Sequence, residues 1–305
     1  MFYLVNEQQC SISQACKIVQ LPPSTYHYRL KPKDDQQLQD ALNILIDKHP
    51  AIGFWQSHYR LRYKGYNWNH KKVYRVYTNM KLNIRRRSKK RLPERIKLPL
   101  SVPCGPNQMW SLDFMSDSFT DGRKFRLLNV IDDFNRESLA IEADTSLPSL
   151  RVIRVLENLA SARGLPSNIR CDNGPEFISH RLQQWCEQNK ITLQYIQPGE
   201  PTQNAYIERN NGSLRRELLD AYMFTTVKEV RQMTQDWQMD YNHYRPHKAL
   251  KYETPVGYHK KWLNRNMELN EGDGALSTST VGGPYKPPTK AIVDKIFEKQ
   301  RTNIN

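Results

Sequence analysis

Three acidic residues stand in separate, differently patterned segments: Asp113 in "WSLDF", Asp172 in "CDNGPEF" and Glu208 in "NAYIERNNGSLRREL". Asp172 follows a short apolar run and precedes Asn-Gly and Gly-Pro pairs, which also suit an ordinary turn. A carboxylate at the mouth of a buried strand has a second use. Ligands gather at the carboxyl ends of strands in open sheets, and three acids converging there would offer hard oxygen donors to divalent cations. Two such ions about 3.5 to 4 Å apart can activate an attacking oxygen and stabilise a leaving one in phosphodiester chemistry. Around Glu208, the helical step of about 100° per residue puts Asn204, Glu208, Asn211 and Arg215 on one face. Ile207, Leu214 and Leu218 mark the buried side. A polar face of this kind serves a site or simply meets solvent.

The elements that must position these acids read as strands followed by alternating helices and strands. Strands are expected over Trp110 to Met115, Phe125 to Ile131 and Ser138 to Ala143, the last two forming a hairpin around "DDFNRE". Further strands are expected over Asn168 to Cys171 and Thr192 to Gln197. Helices are expected over Ser149 to Ala162, Ile178 to Gln188, Asn204 to Leu219 and Val227 to Tyr241. This order predicts an α/β domain, a mixed sheet flanked by helices, over residues 107–263. From about Asn266 the chain is rich in Gly, Ser, Thr and Pro, and a flexible tail is expected over 264–305.

The chain before this domain has another character. Of 305 residues, 38% are hydrophobic, enough for two or three modest domains. The net charge is +15, and residues 1–100 carry 20 basic and 6 acidic side chains, so nearly all the excess lies there. With no long apolar or lipid-anchoring segment beside it, the basic third suits nucleic acid better than membrane. "SISQACKIVQLPPSTYHYR" reads as helix, turn and helix within residues 1–33, with Ile12, Ala15, Cys16 and Val19 as an apolar stripe and Ser24 capping the second helix. A second helical unit spans 34–84, with its turn at Gly65, and a basic linker spans 85–106. Lys71 and Lys72 in that unit and Arg85, Arg86 and Arg87 in the linker are the candidate DNA contacts. The five cysteines are odd in number, scattered and without a C-x-x-C pair, which points to a reducing cytosol and against a zinc module. The N-terminus lacks the pattern of a secretory signal.

The three acidic blocks resemble those of DDE transposases and retroviral-type integrases, and 35 residues separate Asp172 from Glu208, the interval of the DD35E group. "SISQACKIVQLPPSTYHYR", "WNHKKVYRVY", "KKRLP" and "YNHYRPHKALKYETP" extend the likeness to second-frame (OrfB) transposases of bacterial insertion sequences with two overlapping frames. The resemblance implies a ribonuclease H-like core, Asp113, Asp172 and Glu208 as catalytic ligands of Mg²⁺ or Mn²⁺, and Arg215 as a DNA contact seven positions after the glutamate. It also implies DNA as substrate, a homo-oligomer on DNA, and an upstream-frame OrfA product joined to this chain by frameshifting. Asn210 departs from the group, which commonly has a bulky residue there, and the histidines lack the paired cysteines of a His-His-Cys-Cys zinc set. Asp132 and Asp133 in the hairpin are expected to be structural, Glu176 a loop residue and His247 a packing residue. Two other readings share parts of the pattern: a helix-turn-helix regulator, and a ribonuclease H-like nuclease that does not join strands.

Overall fold

The computed structural model describes residues 2–28, 34–84, 103–197 and 201–272. Arg85, Arg86 and Arg87, most of the basic linker and the chain after residue 272 lie outside the described residues. Two compact units divide the chain between Ala41 and Leu42. In the first, α1 (Phe2–Asn6) precedes α2 (Ile12–Ile18) and α3 (Pro23–His27). Ser11 and Gln14 close a capping box at the start of α2, which buries Ala15 and Cys16. The expected cap at Ser24 is displaced: α3 starts at Pro23, because a proline has no N–H to leave unpaired in a first turn.

α4 (Gln36–Lys48) crosses the division between units. In the second unit, α5 (Phe54–Tyr63) and α6 (His70–Asn79) are separated by a turn in which Gly65 takes φ 93°, a left-handed conformation that favours glycine. Val73, Val76 and Tyr77 are the buried face of α6, while Lys71, Tyr74 and Thr78 are exposed and Lys72 is half-buried.

The sheet has the order β3-β2-β1-β4-β5. β1 (Met109–Ser118), β2 (Lys124–Asp132) and β3 (Ser138–Asp144) form an antiparallel meander, and β4 (Asn168–Cys171) and β5 (Thr192–Tyr195) add parallel strands beside β1. β1 runs three residues further than its apolar stretch predicts, because its polar end stays paired with β2 as far as Ser118↔Lys124. α7 (Ser149–Arg163) and α8 (His180–Gln188) cover one face, over a core that includes Trp110, Leu112, Leu128, Val130 and Ile169. α9 (Ala205–Leu214), the π-helical turn Arg215–Leu219 and α10 (Val227–His243) serve the other, over Met115, Phe125, Leu127 and Trp237. The strand period of two therefore turns Trp110 and Leu112 to one layer and Asp113 and Met115 to the other.

Two expectations change. The single helix predicted from Asn204 to Leu219 is a 3-10 turn (Pro201–Asn204), then α9, then the π turn. The loose tail expected from residue 264 is preceded by a helix, α11 (Pro255–Gly272), whose start Thr254 caps by accepting from Gly257 N at 3.1 Å. Tyr258 and Trp262 pack on Phe134, with ring centroids 5.4 and 5.7 Å away. Packing in its first half carries the helix into a polar stretch that sequence composition alone reads as loop.

α5 is joined to α10 and the segment after it. Arg60 donates two hydrogen bonds to Asp240, one of 2.8 Å from Nη1 to Oδ1. His49 lies 3.6 Å from the same carboxylate. Tyr59 stacks on Tyr252 at 4.2 Å, and Tyr63 Oη donates to the Tyr252 carbonyl at 2.7 Å.

Candidate active site

The parallel register pairs Ser111 with Arg170, so Asp113, in the middle of β1 rather than at its end, and Asp172, the first residue past β4, reach the same level on adjacent strands. Neighbouring strands lie about 4.8 Å apart. Asp113 Oδ1 accepts from Phe114 N at 2.9 Å, and Oδ2 accepts from Asn211 Nδ2 at 2.7 Å. Asp172 Oδ1 accepts from Gly174 N at 3.0 Å, and a Cβ built on Gly174 would stand only 3.0 Å from that oxygen. The glycine of "DNG" thus leaves room for the carboxylate as well as making a turn.

α9 brings the third acid to this edge. Asn204 Nδ2 donates to the Leu112 carbonyl at 3.3 Å and Asn211 reaches Asp113, so the helix face they share lies against β1. Glu208 sits between them on that face and is exposed at the edge. The face is therefore not a solvent face: Asn204 and Asn211 are buried. Burial pushes the Asp113 carboxyl up to about 6, and the charges of Asp172 and Glu208 add to the shift. Burial also raises Glu208. Among the described residues, no group of three or more His, Cys, Asp or Glu side chains stands close enough together to hold a metal ion. Like charges repel at this edge, and an all-oxygen donor set with a buried acid fits a hard divalent cation.

The loop after β4 is pinned at two points. Phe177 is fully buried and stacks on Phe114 at 4.8 Å, while Glu176 pairs with Arg126, whose guanidinium lies 4.2 Å over the Phe114 ring. That hydrogen bond holds the Glu176 carboxyl below its ordinary range. Arg215 opens the π turn and is engaged further along β1. Its Nη2 donates to the Ser116 carbonyl at 2.8 Å, and its Nη1 lies 3.3 Å from Asp117 Oδ2. It is thus three and four residues past Asp113 rather than beside it.

The hairpin acids occupy the other end of the sheet. Asp132 pairs across from Trp110, three residues from the level of Asp113, or about 10 Å along the strand. Asp132 accepts from Asn107 N and Phe134 N, and Asp133 meets Arg170 Nη1 at 2.9 Å. His247 packs edge-on against Tyr241 at 4.7 Å, and burial lowers its pKa to about 3. Sequence reasoning missed Asn129, which donates from Nδ2 to Asn211 Oδ1 at 2.7 Å. Its signal was a lone amide inside the apolar run "LLNVI".

The sheet of order β3-β2-β1-β4-β5 is mixed and flanked by helices, with one acid inside a central strand, one just past its parallel neighbour and one on a helix laid against them. Integrase core domain profiles match residues 103–201 and 189–255. The 31.7 kDa protein of insertion element IS407 from Burkholderia multivorans is 39% identical over 81% of this chain and 90% of its own length. An Escherichia coli K12 protein that carries the name "Putative transposase InsK for insertion sequence element IS150" is 23% identical over 81% of this chain and 93% of its own length. Among solved structures, the HTLV-2 integrase catalytic core in complex with magnesium has 20% identity and a TM-score of 0.41, covering 51% of this chain and 98% of that one. The chain belongs to the bacterial insertion-sequence transposases with a retroviral-integrase-like core, and it is an enzyme of DNA transposition.

Proposed function

We propose that this transposase cuts at the ends of its element and joins the freed 3′-hydroxyl to another DNA strand, with Asp113, Asp172 and Glu208 as its catalytic acids. The observation that carries this reading is the shared level itself: Asp113 within β1 and Asp172 just past β4 stand side by side on adjacent strands, and Asn204 and Asn211 turn the Glu208 face of α9 onto β1. The three acids would hold Mg²⁺ or Mn²⁺, which when bound activates an attacking oxygen and stabilises the leaving one. Water and a 3′-hydroxyl are equivalent nucleophiles in an in-line displacement, so one set of acids serves both steps. Asn211 holds one oxygen of Asp113, and the Phe114 backbone holds the other.

DNA would be gripped by the basic region. From Lys48 to Leu92 and Pro93 the sequence has no acidic residue, and Lys71 and Tyr74 project from the exposed side of α6. Lys72, Arg85, Arg86 and Arg87 add charge to that grip. Arg215 would exchange its Asp117 partner for a phosphate, a match for its fork of donors. We place the protein in the cytoplasm on nucleoid DNA, acting as a homo-oligomer and joined to an OrfA-type product that supplies an oligomerising zipper. Among the described residues, no helix is long and apolar enough to cross a membrane.

The test incubates the full chain with labelled duplexes carrying the element's own ends, with Mn²⁺ or Mg²⁺. Strand-transfer products that disappear on chelation are expected; hydrolysis alone would identify a nuclease. DNA affinity should fall by orders of magnitude between about 50 and 200 mM salt, and a flat response would remove the basic region from the grip.

A further inference from the structure

Asn129 lies on β2 among Leu127, Leu128, Val130 and Ile131, all buried, and is itself fully buried. Placing an amide there carries a desolvation cost for each of its groups left unpaired. Among the described residues, its Oδ1 has no hydrogen-bond partner. Its Nδ2 end is the part with an occupation: it donates to Asn211 Oδ1 at 2.7 Å, and Asn211 Nδ2 donates to Asp113 Oδ2 at 2.7 Å. Asn129 is also the cross-strand partner of Asp113, so both side chains leave the sheet on the α9 side.

The order of donors and acceptors gives this chain a direction. A carboxamide has one oxygen and one NH₂. With its oxygen held by Asn129, Asn211 must present its NH₂ to Asp113. Turned over, it would set an oxygen against the carboxylate and its NH₂ against the Asn129 NH₂. We propose that Asn129 is a positioning residue for the catalytic edge: it fixes the Asn211 amide, and through it the Asp113 carboxylate and the rotation of the helix that carries Glu208. It does this without touching substrate. This rests on the assignment of Asp113 as a metal ligand, and the following experiment separates the two.

Mn²⁺ alone is titrated into the full chain without DNA, with free ion read by electron paramagnetic resonance, alongside thermal midpoints. Asp113→Asn should abolish the strong site; unchanged binding there would sink the ligand assignment itself. Asn129→Leu is close in volume and removes the donor. It should weaken Mn²⁺ binding about 10-fold or more, as loss of an outer partner does, while the thermal midpoint holds. Asn211→Ala should do the same, and adding Asn129→Leu to it should weaken binding no further, the non-additivity of one relay. Parental Mn²⁺ affinity in Asn129→Leu, or additive losses in the double variant, overturns the proposal even where Asp113→Asn behaves as expected. Should the Leu variant fail to fold, Asn129→Ser carries the same expectation.

Discussion

One sheet carries acids at both ends and treats them differently: Asp132 and Asp133 are buried, Asp113 and Asp172 half-buried. At the hairpin end Asp133 meets Arg170 at 2.9 Å, and Asp132 and Glu137 share Arg163 at 3.6 and 3.1 Å. At the other end the partners of Asp113 and Asp172 are backbone N–H groups and one amide, and among the described residues neither they nor Glu208 makes an ion pair. Proton affinity does not separate the two ends. Burial pushes both Asp113 and Asp133 up to about 6, and Arg170 only partly offsets it for Asp133. The partner is what differs: a guanidinium completes the charge balance within the fold, whereas an amide orients a carboxylate and leaves its charge for a cation from outside.

The largest effect expected from this contrast is on chemistry. Glu208→Gln should keep DNA affinity in a gel-shift assay and lose both cleavage and joining, by at least about 1000-fold, the scale of removing one member of a catalytic unit. Retained joining would put a different acid in third place.

Next come opposite signs of stability from the same change made at the two ends. Glu137→Gln at the hairpin end removes a carboxylate that Arg163 and His259 hold well below its ordinary range, and should lower unfolding free energy by about 3 kcal/mol. Asp113→Asn removes a half-buried charge, whose carboxyl the fold pushes up to about 6 and which it holds without a counter-ion, and should raise it by about 1 kcal/mol at pH 7.5. Urea titrations of the metal-free protein measure both, and equal losses would erase the distinction between the ends.

Asp240 belongs with the arginine-paired acids, and His49 beside it gives a pH readout. Burial lowers His49 to about 4, with Arg60 and Lys48 reinforcing the shift and Asp240 and Glu217 opposing it. Its folded-state pKa lies below its unfolded value of 6.5, so its contribution is fully present above pH 6.5 and is lost as pH falls toward 4. His49→Gln should flatten the stability curve between pH 6.5 and 4, seen as a smaller drop in thermal midpoint. An unchanged slope would assign the acid sensitivity elsewhere.

The smallest stability effect belongs to Arg215. Its pair with Asp117 is partly exposed, and such pairs contribute about 0 to 1 kcal/mol. Arg215→Ala should move the thermal midpoint little and strand joining much more. A variant that unfolds readily would make the residue part of the frame.

The sheet was legible because its strands alternate or run apolar between turn signals, and Asp172 because it ends such a run, whereas Asp113 lies inside its strand and Glu208 on a helix. What escaped was set by tertiary contacts. No local pattern predicts the π turn after Leu214, or the continuation of α11 past Asn266. Asn129 was hidden for another reason. A polar residue in an apolar strand is visible, but its purpose depends on Asp113 across the sheet and Asn211 on a helix 82 residues later.

The joint at Arg60, Tyr63 and Tyr252 has a mechanical consequence. Residues 85–102, which connect α6 to β1 along the chain, lie outside those described, yet α5 is clasped to the segment around α10 by side chains. If α6 grips a duplex as proposed, this clasp, and not only the covalent tether, would set how far the grip stands from the acidic edge.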